Sequence, residues 1–169
     1  MLRSCTTFAM LIVLAAWAGA QGRPMLSTAE QLKMLQADRT LLGSLVDDGL
    51  GLAKSNTPVE KADGCRRMTK SLVDALGRAA GDQDPDRVAE IGEHLENVIR
   101  DALAPTIDEA RGLIPEDSPE AAKLKLVRDK STEDLKAALA SIPQAGKVGG
   151  HARVKETRGK LDQLRERLK

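Results

Sequence analysis

Residues 57–81, TPVEKADGCRRMTKSLVDALGRAAG, decide the fold class of this chain. Thr57 precedes Pro58, and Glu60 follows three residues after the threonine. That is a helix start: the hydroxyl caps a first-turn N–H, proline fills a position whose N–H is not needed, and the glutamate reaches back to the cap. Ala62, Cys65, Thr69, Leu72, Leu76 and Ala80 then recur at threes and fours, the spacing of one buried helix face. Gly81 is expected to end the helix.

The same device recurs outward along the chain. Asp84-Pro85 opens a third segment with Val88, Ile91, Leu95, Val98 and Ala102 on one face. Pro105 removes a backbone donor, so this third helix is expected to kink there before Ile107, Ala110 and Leu113. Ser118-Pro119 opens a fourth, with Leu124, Val127, Ser131, Leu135, Ala138 and Ile142 inward, and Pro143 stops it. Upstream, Ser27 with Glu30 forms a capping box for a first helix carrying Leu32, Leu35, Leu42, Leu45, Val46 and Leu52. Gly43, Gly49 and Gly51 weaken its second half by about 1 kcal/mol each relative to alanine; they would also allow a neighbour to approach closely. Residues 143–150 read as a flexible, glycine-containing linker. A last helix from His151 carries Val154, Thr157, Leu161, Leu164 and Leu168 at heptad spacing.

Ala, Leu, Lys, Arg and Glu dominate and β-branched residues are sparse, which suits helices. Segments of about 23–28 residues span roughly 35–42 Å. Joined by short turns, they predict an all-α, up-down bundle of four main helices over residues 21–142, with the third kinked near Pro105. Residues 151–169 add a C-terminal basic amphipathic helix that docks on the bundle or stands apart.

Residues 1–20 have the order of a secretory signal peptide. Arg3 supplies the charge, Phe8–Trp17 the apolar run, and Ala18-Gly19-Ala20 the small-residue cleavage site. The run is ten residues long, about half of a membrane span. Export to a periplasmic or extracellular site is therefore expected, with no transmembrane segment in the mature chain. The only Phe and Trp, Phe8 and Trp17, lie in this segment, and there is no Tyr. Aromatic rings dominate small-molecule pockets, interface anchors and base-stacking platforms. Their absence downstream, with a near-neutral charge, weighs against nucleic-acid binding. Cys65 is the one cysteine left after processing. It reads as a small buried hydrophobe; exposed beside Arg66 and Arg67, it would be a reactive thiol.

Charge is segregated along the chain. Residues 82–120 hold twelve acids against three bases, net −9, and residues 121–169 thirteen bases against six acids, net +7. Such asymmetry holds helices together or attracts charged partners. The proposed contact residues are Glu90, Glu93 and Glu96 on the acidic helix. On the basic helix they are Arg153, Lys155, Arg158, Lys160 and Arg165. That last helix could lie on an anionic surface, dock by its leucine stripe, or pair with a second copy as a homodimer.

Glu90 and His94 share a helix face and are the pair a transition metal would use; a surface histidine beside a helical carboxylate is the plainer reading. The Glu-x-x-His pattern of di-iron bundles is not met, because Ile91 stands three before His94. No serine-nucleophile, P-loop or zinc-protease motif occurs. No catalytic residue and no cofactor is expected. The chain reads as a non-catalytic interaction module that binds an envelope or secreted protein. Leu26-Ser27-Thr28-Ala29-Glu30-Gln31 resembles the Leu-Thr-x-x-Gln motif of small periplasmic helical chaperones and metal-stress sensors. Ser stands in place of Thr and Gln31 falls one position late. The resemblance covers six residues and implies the alternative, a periplasmic stress-type helical chaperone or metal sensor.

The missing aromatics give a direct assay of processing. Protein purified from an exporting cell should show almost no absorbance at 280 nm. Retained tryptophan absorbance, from Trp17, would show that the apolar segment is not removed.

Overall fold

A computed structural model describes residues 27–168, apart from the side chain of Glu30. The expected signal peptide and cleavage site lie outside the described residues. Among those described there is no strand. The helices are α1 (Thr28–Ala53), α2 (Pro58–Gly81), α3 (Pro85–Val98), α4 (Ala104–Leu113), α5 (Pro119–Ser141), α6 (Gly146–Gly149) and α7 (Ala152–Leu168). The chain divides into two units at Gln36/Ala37. Of the first unit, the described part is the start of α1, where the Gln31 N–H bonds the Ser27 carbonyl. All that follows concerns the second, residues 37–169.

The three cap-proline starts form as their chemistry dictates. The Thr57 hydroxyl accepts from the Glu60 N–H at 3.2 Å, and the Glu60 carboxylate accepts from the Asn56 and Thr57 N–H groups at 3.0 and 3.2 Å. Those two backbone donors hold the Glu60 carboxyl below the usual range. Asp84 accepts from the Arg87 N–H and Ser118 from the Ala121 N–H. The end of α2 differs from expectation. Gly81 is its last helical residue, and the left-handed position falls on Gln83, φ 57°. There the Gln83 N–H bonds the Ala80 carbonyl and the Asp84 N–H the Ala79 carbonyl, a Schellman closure. The Gln83 amide adds a bond to the Ala80 carbonyl at 3.3 Å.

Pro105 does not end the third segment. Residues Ile99–Leu103 form a π turn, and the Ala104 N–H reaches back five residues to the Ile99 carbonyl. The wider turn lets the helical path pass a residue that has no N–H to donate. Continuing the path keeps Ile99, Leu103, Ile107 and Ala110 in the core, each at most 2% exposed.

Six helices, α2 to α7, pack together. α2 packs against α3, α4 and α5, and α7 packs against both α3 and α5. Leu76, Leu95, Leu135 and Leu161 are fully buried, one from each of α2, α3, α5 and α7. Burying each such side chain contributes about 1.5–3 kcal/mol. The hydroxyls of Thr69 and Ser131 on these stripes bond the carbonyls of Cys65 and Val127 in their own helices, so no buried polar group is stranded. Between α2 and α5, Arg66 bridges Asp63 and Asp134 at 3.2 and 3.4 Å. Burial pushes the Asp134 carboxyl up in spite of this cation.

The C-terminal helix is docked, with Val154, Thr157, Leu161 and Leu168 buried. The segment expected to be a flexible linker carries a buried anchor. Val148 is fully buried, and a Cβ at Gly149 would collide with the Pro143 and Gln144 backbone.

The glycines of α1 do not mediate close packing within the chain. A Cβ at Gly43 or Gly49 meets nothing within 4 Å. The close approaches fall at two glycines on other helices. A Cβ at Gly64 would lie 3.1 Å from the Leu52 side chain, and one at Gly92 would overlap the Thr157 methyl. Gly92→Ala should therefore destabilise by about 1–3 kcal/mol in urea unfolding, although alanine is the better helix former. Thr157→Ser, which removes the obstructing methyl, should recover most of that loss in the double variant. Gly159→Ala, on the open side of α7, should instead stabilise by up to about 1 kcal/mol.

Candidate functional site

Charged residues of α3 and α7 meet along one seam. Glu93 lies 3.6 Å from Arg153, and Glu96 3.5 Å from Lys160. Glu96 also receives Arg100 at 2.9 Å, and its side chain is only 13% exposed, so it sits between two cations. His151 Nε2 approaches Asp86 at 3.9 Å. The structure thus brings together residues that the sequence places on separate acidic and basic helices. Glu90 faces Arg87 at 3.6 Å. Arg158 donates to the Ile142 carbonyl at 2.7 Å, closing the C-terminal end of α5. Arg165 pairs with Asp162 and Glu166 within its own helix. Lys155, with Arg158, Pro143, Gln144, Gly149 and Val154, lines a shallow cavity of about 300 Å³.

Glu156 is held below the usual carboxylate range by a hydrogen bond from Lys160, which is itself raised by Glu156 and then by Glu96. Burial pushes the Cys65 thiol up, and the residue is 2% exposed. Arg66 and Arg67 turn to Asp63, Asp134 and Asp48. The thiol is therefore a packed, protonated group.

Glu90 and His94 lie on the exposed side of α3. Among the described residues, no group of three or more His, Cys, Asp or Glu side chains is placed to hold a metal. A second cleft, of about 130 Å³, has Arg111, Arg128 and Arg167 at its rim and Ala104, Ile107 and Leu168 as its floor. Arg128 meets Asp129 and Arg167 meets Asp108, and Arg111 sits in the last turn of α4, where a cation complements the helix dipole.

The feature that sequence reasoning missed is on α1. Its apolar residues form two faces rather than one stripe. Leu41, Leu45 and Leu52 pack on the core. Asp48 on the same side meets Arg67 at 3.4 Å, and Asp38 pairs with Arg87. Leu42, Val46 and Leu50 point outward and are 62%, 59% and 55% exposed. In the first unit, Leu32 and Leu35 are 55% and 65% exposed. Beyond α1, only Leu113 and Leu126 are large apolar residues comparably exposed among the described residues. The signal was present in the register: at about 100° per residue, Leu41 and Leu42 cannot share a face. No helix among the described residues is long and apolar enough to cross a membrane.

No family model matches the chain, and no curated protein or solved structure matches it either.

The seam has a signed pH dependence. Glu156 has a lowered folded pKa, so its contribution is present above its unfolded value and lost as pH falls through the folded one. Lys160 has a raised folded pKa, so its contribution is full below its unfolded value and lost as pH rises through the folded one. In Lys160→Gln the melting temperature should fall less than in the parent chain on acidification through the carboxylate range. Equal acid sensitivity of the two proteins would show that the seam adds nothing.

Proposed function

We propose that this protein is an exported, non-catalytic helical-bundle module that works by association with another polypeptide in the cell envelope or extracellular space. Its architecture in this reading is an up-down bundle of α2, α3 with α4, α5 and α7, the C-terminal helix taking the corner expected of α1. Export rests on the order of charge, apolar run and small residues in 1–20.

The observation that carries the association reading is the outward face of α1. Soluble chains seldom gather their exposed leucines on one helix, and such a patch marks an interaction surface. The acidic and basic residues first considered as contact surfaces already neutralise one another across α3 and α7. They supply intramolecular pairing and a polar surround, and the apolar face supplies the contact.

Leu42→Ser, Val46→Ser and Leu50→Ser combined should leave helicity and melting temperature nearly unchanged, because these side chains touch water and not the core. The same variant should lose at least tenfold in affinity for whatever the parent chain retains from native extract, the effect of removing central apolar contacts. Charge reversal at Glu93 should have a much smaller effect on that binding. Undiminished binding by the triple serine variant would overturn this assignment.

A further inference from the structure

The outward face of α1 has a near-symmetric sequence. Residues 42–50 read Leu-Gly-Ser-Leu-Val-Asp-Asp-Gly-Leu. Read in either direction from Val46, a glycine stands three residues away and a leucine four. On a helix with about 100° per residue, the leucines fall about 40° to either side of Val46 and the glycines about 60°. The face therefore maps onto itself when one helix is turned end for end. That is the requirement for a two-fold, isologous contact, in which one patch serves both partners.

We infer that the occupant of this face is a second copy of the chain, with its α1 antiparallel and the two-fold axis at Val46. Leu42 of each copy then lies beside Leu50 of the other, and the two Val46 side chains meet at the axis. This rests on the association reading above and names its partner.

Three observations support the assignment. Leu42, Val46 and Leu50 are each more than half exposed while the opposite face of the same helix is packed. Gly43 and Gly49 have open space where a Cβ would be, so nothing within the chain requires glycine there. Two mid-helix glycines each forfeit about 1 kcal/mol of helix propensity, and an approaching second helix gives both a role. The charges on this stretch are directed elsewhere: Asp38 and Asp48 turn inward to Arg87 and Arg67, which keeps carboxylates off the face. The C-terminal heptad, the other segment suited to self-pairing, is buried within the fold. The contact has only three large apolar side chains per copy. It falls at the small end of protein interfaces and should be concentration-dependent.

The test uses the chain as an expressing cell processes it. Sedimentation velocity over a hundredfold concentration range should show a monomer–dimer equilibrium. Val46→Asp, which sets two carboxylates at the axis, should weaken the dimer at least tenfold. Gly43→Gln should also weaken it while raising or preserving the melting temperature of the dilute monomer, opposite signs that a merely structural glycine would not give. Val46→Cys, oxidised with copper phenanthroline, should form a disulfide-linked dimer. Leu126→Cys on α5 should not, and the buried Cys65 of the parent chain should not.

A strictly monomeric chain with no cross-link at Val46→Cys overturns the inference. So does a dimer that survives Val46→Asp unchanged. If the monomeric chain still retains a different protein, and the triple serine variant does not, the association reading stands and only its partner is wrong. If neither dimer nor retained protein is found, both fall.

Discussion

The contact between α7 and α3 at Gly92 is the constraint on which the other packing depends. Hydrogen replaces a side chain there, and the Thr157 methyl occupies the space. With α7 seated at that distance, Val154, Leu161 and Leu168 reach the core. The leucines of α2, α3 and α5 are then closed off from water on the side left open by three helices. No aromatic residue occurs within residues 27–168, so closure depends on aliphatic side chains meeting at close range. Such contacts lose much of their dispersion energy when a gap of even half an ångström opens. A small residue at the crossing is how a core built of Leu, Ile, Val and Ala reaches interior density.

The electrostatic pattern follows from the same docking. An acidic helix and a basic helix far apart in sequence become neighbours, and Glu93 and Glu96 find Arg153 and Lys160. Each exposed pair contributes little by itself. Glu96 differs because its carboxylate is largely covered and stands between two cations, where like charge would be strongly disfavoured. The net charges of the two halves of the sequence therefore record an internal complementarity. What remains outward-facing and chemically distinctive is the apolar side of α1.

Local chemistry was legible wherever it is decided within one turn of helix. Thr57, Asp84 and Ser118 cap as their sequence context dictates, because a short oxygen-bearing side chain and a following proline leave few alternatives. The stripes of α2, α5 and α7 were legible because their apolar residues lie within one arc. Two features were not. Pro105 reads locally as a break, yet burial of Ile107 and Ala110 beyond it favours continuing the path, and the π turn meets both demands. In α1, Leu41, Leu42, Leu45 and Val46 together cover too wide an arc to face one core, and nothing local says which half goes inside.

The sequence by itself determined the all-helical class, the capped starts, the inward stripes of the later helices and the separation of acidic from basic stretches. These are set by bonds and spacings a few residues long. Only the tertiary structure decided that α7 completes the core, that the charged helices satisfy one another, that Cys65 is packed, and that Leu42, Val46 and Leu50 remain in water. Each of these depends on which surfaces come within a few ångströms of each other. That is a property of the whole packing, in which a single glycine on α3 sets the distance.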